Sequence, residues 1–248
     1  MPSCSPLLLA VSSGLALLAA FPAAAQPIAT DRPDFTENTQ VVGRGRVQVE
    51  AGATVTFAGA AGVEARALSE SLTDLTGPEA LVRIGVGRGV EGRLVLPDLS
   101  SAGPASLAGA SVGVKAVLGT FAGLDATSIV DVSRSEGRRA SPRAVLILGR
   151  DIGAALSAGG QVEVAFDPDA DRVLAAATLV GGLALSGRVG TFAEVAVSGL
   201  PEGRAAVVLH HGYTLAVGEA LQLDVHGGAG LTATAPDVSI GAGLGVRF

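Results

Sequence analysis

Hydrophobic and polar residues alternate along this chain over unusually long runs. From Arg46 to Phe57 the apolar residues Val47, Val49, Ala51, Ala53, Val55 and Phe57 interleave with Arg46, Gln48, Glu50, Gly52, Thr54 and Thr56. Successive side chains of a strand point to opposite faces, so the pattern predicts a strand with one apolar and one polar face. Soluble strands average about 5 to 6 residues, whereas a tilted membrane-crossing strand needs about 9 to 11. The far end repeats the signature, with Val238, Ile240, Ala242, Leu244, Val246 and Phe248 set against Asp237, Ser239, Gly241, Gly243, Gly245 and Arg247. Strands at both ends are what closure of a barrel requires.

Between them the sequence predicts strands over 80–87, 91–99, 107–119, 143–156, 161–167, 172–182, 185–199, 204–217 and 219–231. Val162, Val164 and Phe166 alternate with Gln161, Glu163 and Ala165, and Leu221, Leu223 and Val225 with Gln222, Asp224 and His226. The 172–182 run is apolar on both faces. Turn chemistry separates the runs at Gly87–Gly89, Asp167-Pro168-Asp169, Gly181-Gly182, Leu200–Gly203 and Ala235-Pro236-Asp237. These make eleven strands, and bacterial single-chain barrels have an even number. A further strand is therefore expected within Phe121–Val132 or Val63–Ser71. The expected fold is all-β: a transmembrane antiparallel up-and-down barrel of about 12 strands.

Alternation alone does not say which face meets water. In a soluble barrel the apolar face fills the lumen; in a membrane barrel it meets lipid and the lumen takes the charges. Strand length favours the membrane, and so does the start of the chain. Residues 6–25 form an uncharged apolar run closing on Ala23, Ala24 and Ala25, the pattern of a cleaved export signal with Gln26 as the new terminus. The only cysteine, Cys4, would leave with that signal. The expected organisation is thus a signal peptide over 1–25, a periplasmic segment over 26–45 and an outer-membrane barrel over 46–248. Seven Phe, one Tyr and no Trp predict sparse interfacial aromatic girdles. The apolar stretch Val173–Gly187 would reach only about 22 Å as a helix, too short for a comfortable span. Thirty-five glycines favour a strand-and-turn chain, and a net charge of −6 argues against nucleic acid as a partner.

The segment after the export signal reads Ile28-Ala29-Thr30-Asp31-Arg32-Pro33-Asp34-Phe35-Thr36-Glu37-Asn38, and Gln48-Val49-Glu50-Ala51-Gly52 follows. A TDRPD box leading into a Q-x-E-x-G strand resembles the N-terminal signature of the bacterial outer-membrane transporter family of the phenol-degradation meta pathway. Arg83-Ile84-Gly85 with Glu91-Gly92-Arg93 is similar to that family's R-x-G…E-x-R hairpin. Val246 and Phe248 resemble the closing-strand signal read by the outer-membrane assembly machinery. The resemblance frames the chain from Gln26 to its end. It implies a barrel that passes small hydrophobic or aromatic compounds, with Thr30, Asp31, Arg32, Pro33 and Asp34 as the family's motif residues.

Several motifs that could carry chemistry have simpler readings. Gly109-Ala110-Ser111-Val112-Gly113 matches the G-x-S-x-G elbow, but that serine needs a strand-to-helix turn, and Ser111 sits in an alternating run. Gly87–Gly92 matches G-x-G-x-x-G, yet no helix start follows it, and a hairpin turn is expected. Of the three histidines, His211 and His226 are expected to share the lumen, without the third ligand of a metal site. Arg134, Arg138, Arg139 and Arg143 fall in Asp131–Arg143, which reads as a long solvated loop. Asp31, Arg32 and Asp34 could form a plug or gate, or a simple tether.

The polar faces give the candidate lumen lining: Glu50, Arg83, Arg93, Lys115, Glu163, Asp224 and His226. Their mixed signs would pair across a lumen, as structural filling or as a selectivity lining. The leading expectation is a passive outer-membrane channel for small solutes, not an enzyme, with no cofactor or metal. Its expected partners are outer-membrane lipid, the barrel assembly machinery and an unidentified solute. The alternatives are a non-transporting structural or interaction barrel, and a soluble periplasmic binding barrel with its apolar face inward.

Overall fold

The computed structural model of the chain describes residues 28–57, 72–96, 110–134, 137–200 and 205–248, with 72–79 and 200 as backbone only. The expected export signal over 1–25 and the Val63–Ser71 candidate strand lie outside these residues. The strands are β1 (Val47–Phe57), β2 (Leu72–Gly87), β3 (Val90–Leu96), β4 (Ala110–Phe121), β5 (Leu124–Arg134) and β6 (Ser141–Ile152), followed by β7 (Leu156–Asp167), β8 (Arg172–Ala184), β9 (Val189–Leu200), β10 (Ala206–Val217), β11 (Leu221–Gly230) and β12 (Val238–Arg247). Each pairs antiparallel with its sequence neighbours, and β1 pairs with β12 to close a 12-stranded barrel. The closing register runs from Gln48 opposite Arg247 to Phe57 opposite Val238. Backbone bonds between Val47 and Phe248 tie the seam at its end.

The sequence pattern misjudged three stretches. The missing strand is β5, within the Phe121–Val132 window and beyond it to Arg134. Asp131–Arg143 is therefore not one long loop: Asp131–Arg134 finish β5 and Ser141–Arg143 begin β6. Gly181 and Gly182 do not form a turn; they continue β8, and the chain bends at residues 185–188. The β2 strand begins at Leu72 rather than Ala80.

The faces settle the orientation. Val112 is 64% exposed and Leu179 70%, and Ile84, Val130, Val162, Val225 and Ile240 are exposed with them on the outside of the barrel. Their strand neighbours on the inside, Arg83, Glu91, Lys115, Gln48 and Glu50, are buried. An apolar outside and a charged inside reverse the order of a soluble barrel, which overturns the soluble-binding-barrel reading. The few aromatics sort accordingly. Phe57 and Phe166 stand near one rim, Phe121 and Phe248 near the other, and Phe35 and Phe192 lie within the lumen. The connections at the rim shared by the two chain ends are short, such as 88–89 and 122–123, while those at the opposite rim include 58–71 and 97–109. Short turns on one side and longer loops on the other are the habit of outer-membrane barrels.

Candidate functional site

Residues 28–46 do not stand apart from the barrel. They enter the lumen at the short-turn rim, fold back within it, and return to β1. This irregular segment has backbone donors and acceptors with no ladder to join, and a buried polar group left unpaired is costly. The inward side chains of the wall supply the partners. Glu50 accepts from the N–H groups of Asp31 and Arg32 at 2.8 and 3.1 Å. Glu194 accepts from those of Phe35 and Thr36 at 2.8 and 2.7 Å. Gln161 accepts from Glu37 N–H at 2.8 Å, and Glu91 from Val42 N–H at 2.6 Å. Thr127 donates to the Thr39 carbonyl at 2.6 Å, and Gln48 to that of Ala29 at 2.9 Å.

Arg83 is the centre of this arrangement. Its guanidinium has five N–H donors, and all are used. Two go to Glu91, at 2.8 and 3.0 Å, and one to Glu50 at 2.9 Å. The others reach the Ala29 and Gln40 carbonyls, both at 3.0 Å, so one side chain clamps the ingoing and outgoing arms of the segment. Asp31 meets Lys115 at 2.7 Å, Arg83 at 3.3 Å and Arg93. Burial alone would raise the Asp31 carboxyl, but these three cations hold it well below the usual carboxylate range. Glu37, paired with Arg93 at 2.6 Å, is pushed up to about 7 by burial and by the neighbouring Asp31.

Arg32 is seated by an absence of side chains. Gly52 on β1 and Gly243 on β12 are cross-strand partners, and a Cβ on either would collide with its guanidinium. Arg32 donates to His226 Nε2 at 3.5 Å and lies 3.6 Å from Asp224. His226 Nδ1 and His210 Nε2 are 3.0 Å apart, and His210 Nδ1 is 3.3 Å from Glu194. A guanidinium only donates and a carboxylate only accepts. One tautomer choice lets the donors run one way, from Arg32 through His226 and His210 to Glu194.

Of the predicted lining, Glu50, Arg83, Arg93, Lys115, Asp224 and His226 all face the lumen in contact with this segment or its partners. Glu163 faces the lumen too but serves a second cluster, in which Arg143 bridges it at 2.9 Å to Asp131 at 2.7 Å. The histidine expectation is corrected: His210, not His211, shares the lumen with His226. His211 follows His210 on the strand and so points outward, with Tyr213 packed against it. Ser111 lies within β4 opposite Ser133, not on an elbow, and Arg88 and Gly89 form the β2–β3 turn. Sequence reasoning missed His210 and the buried apolar trio Ile129, Val145 and Ile147 on the inner face of β5 and β6. The inward glycines were the available signal, since glycine within a strand often marks the close approach of another group.

The segment partitions the lumen. On the long-loop side lies a cavity of about 560 Å³ lined by Phe35, Leu81, Val95, Val208, Glu37 and Arg143 among others. On the short-turn side lie cavities of about 780 and 210 Å³. The barrel fold has a solved counterpart. The fold is that of an outer-membrane channel. An outer-membrane channel from Pseudomonas putida F1 superposes with a TM-score of 0.64 at 8% identity, over 85% of this chain and 98% of that one. The outer-membrane channel DcaP of Acinetobacter baumannii gives 0.42 at 10% identity, over 82% of this chain and 96% of that one. The anion-selective porin of Comamonas acidovorans gives 0.36 at 14%, over 70% and 60%. No family model matches the sequence, and no curated protein matches it. At these identities the likeness speaks for the architecture alone.

Proposed function

We propose that this protein is a passive channel of the outer membrane whose conductance is controlled by residues 28–46. The observation that carries the reading is the pair of lumenal spaces, about 560 and 780 Å³, separated by one irregular segment rather than by wall side chains. A wall cannot move without breaking its ladder, but a docked segment can shift. The solutes are small. The upper space sets Phe35, Leu81, Val95 and Val208 beside charged groups, which suits molecules with an apolar or aromatic body and a polar edge. That agrees with the class implied by the TDRPD resemblance. The lumen performs no covalent chemistry in this reading. Lipid covers the apolar belt, and Val246 and Phe248, at the closing seam, are the contacts offered to the assembly machinery.

A second reading has its own support. Every donor of Arg83 is satisfied, so the segment also serves as a structural filling for a barrel that transports nothing. Planar-bilayer recording of the full chain, with liposome uptake of small aromatic and aliphatic solutes, separates the two. Discrete current steps and solute entry are expected of the channel. A folded, inserted barrel that neither conducts nor admits solute would leave the structural reading in place.

A further inference from the structure

His211 stands exposed in the middle of β10 on the outside of the barrel, in a wall whose other outward residues are mostly apolar. Among the described side chains it is the ionisable one on the lipid-facing wall away from the strand ends. Ionisable groups at that depth are costly and mark functional positions. Its Nδ1 lies 2.5 Å from the Phe192 carbonyl oxygen, and a carbonyl only accepts, so the tautomer that makes this bond leaves Nε2 as an acceptor. Tyr213, the only tyrosine of the chain, follows two residues later on the same face, with its ring centre 5.0 Å from the imidazole. Among the described residues neither His211 Nε2 nor the Tyr213 hydroxyl has a hydrogen-bond partner. Thr191, the cross-strand neighbour of Tyr213, is different: its hydroxyl donates to the Gly212 carbonyl of the same wall at 2.9 Å.

The wall is hollow beside these two residues. His211 pairs with Gly227 and Tyr213 with Val225, and Ala242 on β12 and Ala53 on β1 continue the row beyond Val225. These small residues, with His211 and Tyr213, line an open groove of about 510 Å³. Within a bilayer, burial of apolar surface supplies no drive to associate. Contacts there rely on small residues that permit close approach and on polar side chains that bond across.

We infer that this face of β10–β12 and β1 is where two copies of the barrel pair side by side in the membrane, the Tyr213 hydroxyl of each donating to His211 Nε2 of the other. Lipid tails offer neither a donor nor an acceptor, whereas a second copy offers both. Two copies inserted in the same direction are related by a two-fold axis along the membrane normal, which sets residues of equal depth opposite each other. Such a contact must be self-complementary. A donor and an acceptor two residues apart on one strand meet that condition, because each bond across the axis brings its symmetry mate. The groove gives the two walls room to close to hydrogen-bonding range. The inference concerns the outside of the barrel and stands whether or not the lumen conducts.

The test is the subunit count of the full chain in liposomes, read by single-molecule photobleaching over a range of protein-to-lipid ratios. Wild type should pass from monomer to dimer as the ratio rises. Tyr213→Phe, which removes only the hydroxyl, and His211→Leu should each weaken dimerisation about tenfold, since each removes both reciprocal bonds. The double variant should be no weaker than either single one. Gly227→Leu, which fills the groove, should leave monomers, and Val130→Leu on the outside of β5 should change nothing. On oxidation, Ala242→Cys should cross-link two copies and Val130→Cys should not, each in a chain whose Cys4 is replaced by serine. All variants should keep the heat-modifiable gel mobility of a folded barrel; Tyr213→Phe carries the test if the groove-filling variant does not fold. Folded wild type that stays monomeric at every ratio, with or without lipid retained in the groove, would overturn the inference. So would a dimer indifferent to the His211 and Tyr213 substitutions, or one that cross-links through Val130→Cys instead.

Discussion

Replacing Arg83 by methionine should undock the leading segment while leaving the barrel standing. The side chain is fully buried and makes five hydrogen bonds, three to the carboxylates of Glu50 and Glu91 and two to segment carbonyls, besides its ion pair with Asp31. Methionine fills similar space but leaves those carboxylates and carbonyls unpaired. Removing one partner of a buried pair costs about 3 to 5 kcal/mol. The strand ladder does not depend on Arg83, so most of that cost falls on docking. At about 1.4 kcal/mol per tenfold, the docked-to-undocked ratio should fall by roughly two to three orders of magnitude. Two assays read this: limited proteolysis across residues 28–46 of the detergent-solubilised protein, and open probability in planar bilayers. Rapid cleavage within the segment and mostly open channels are expected, with a barrel that remains heat-modifiable. Arg83→Lys should be intermediate, since one ammonium cannot span both carbonyls and both carboxylates. A folded Arg83→Met barrel with wild-type protection of the segment would refute the reasoning.

Two further predictions test other parts of the same arrangement. Gly243→Val should evict the Arg32 guanidinium from its notch, exposing residues 30–36 to protease, whereas the same change at Gly187, where a Cβ meets nothing within 4 Å, should be silent. Docking should also depend on pH. Because burial and the neighbouring Asp31 push the docked Glu37 carboxyl up to about 7, against an ordinary 4.5, the docked state binds the extra proton. Segment protection should therefore be highest below about 4.5 and decline as pH rises through 7. Asp31, whose docked carboxyl lies well below 3.8, works in the opposite sense, stabilising docking above its undocked value and losing that contribution only in stronger acid. Glu37→Gln should flatten the decline between 4.5 and 7 in hydrogen exchange of the segment amides.

Much of the barrel is legible in the sequence because a half-buried strand imprints a period of two. The runs at Arg46–Phe57 and Asp237–Phe248 locate the seam almost to the residue, and the polar positions Gln48, Glu50, Arg83, Glu91 and Arg93 turn out to be lumenal. The pattern failed where an inward position is apolar. The stretch that contains β5 carries Ile129 facing in and Val130 facing out, so no alternation shows, and Asp131–Arg143 looks like a loop because it is rich in charge, although Asp131 and Arg143 pair with each other as register partners of β5 and β6. Gly181-Gly182 carried the chemistry of a turn while lying inside β8. The destination of the TDRPD segment was not legible. Its binding sites are single side chains scattered over β1 to β9 and β11, and only the inward glycines, Gly52, Gly85, Gly243 and Gly245, hinted that something passes close to the wall. His210 and His211 could be assigned to opposite faces, but not to which, until the register of β9 with β10 was known.

The account turns on the leading segment acting as the movable closure of a conducting barrel, and a reversible lock tests that most directly. Thr36 at the fold of the segment and Thr178 on β8 have their hydroxyl oxygens 2.5 Å apart. A Thr36→Cys/Thr178→Cys variant, in which the single native cysteine, Cys4, is also replaced by serine, can be recorded in bilayers while oxidised and again after dithiothreitol. The account predicts a silent or sharply reduced conductance in the oxidised form and recovery of wild-type current steps on reduction. Equal conductance in both states, with the disulfide verified by mass, would contradict it.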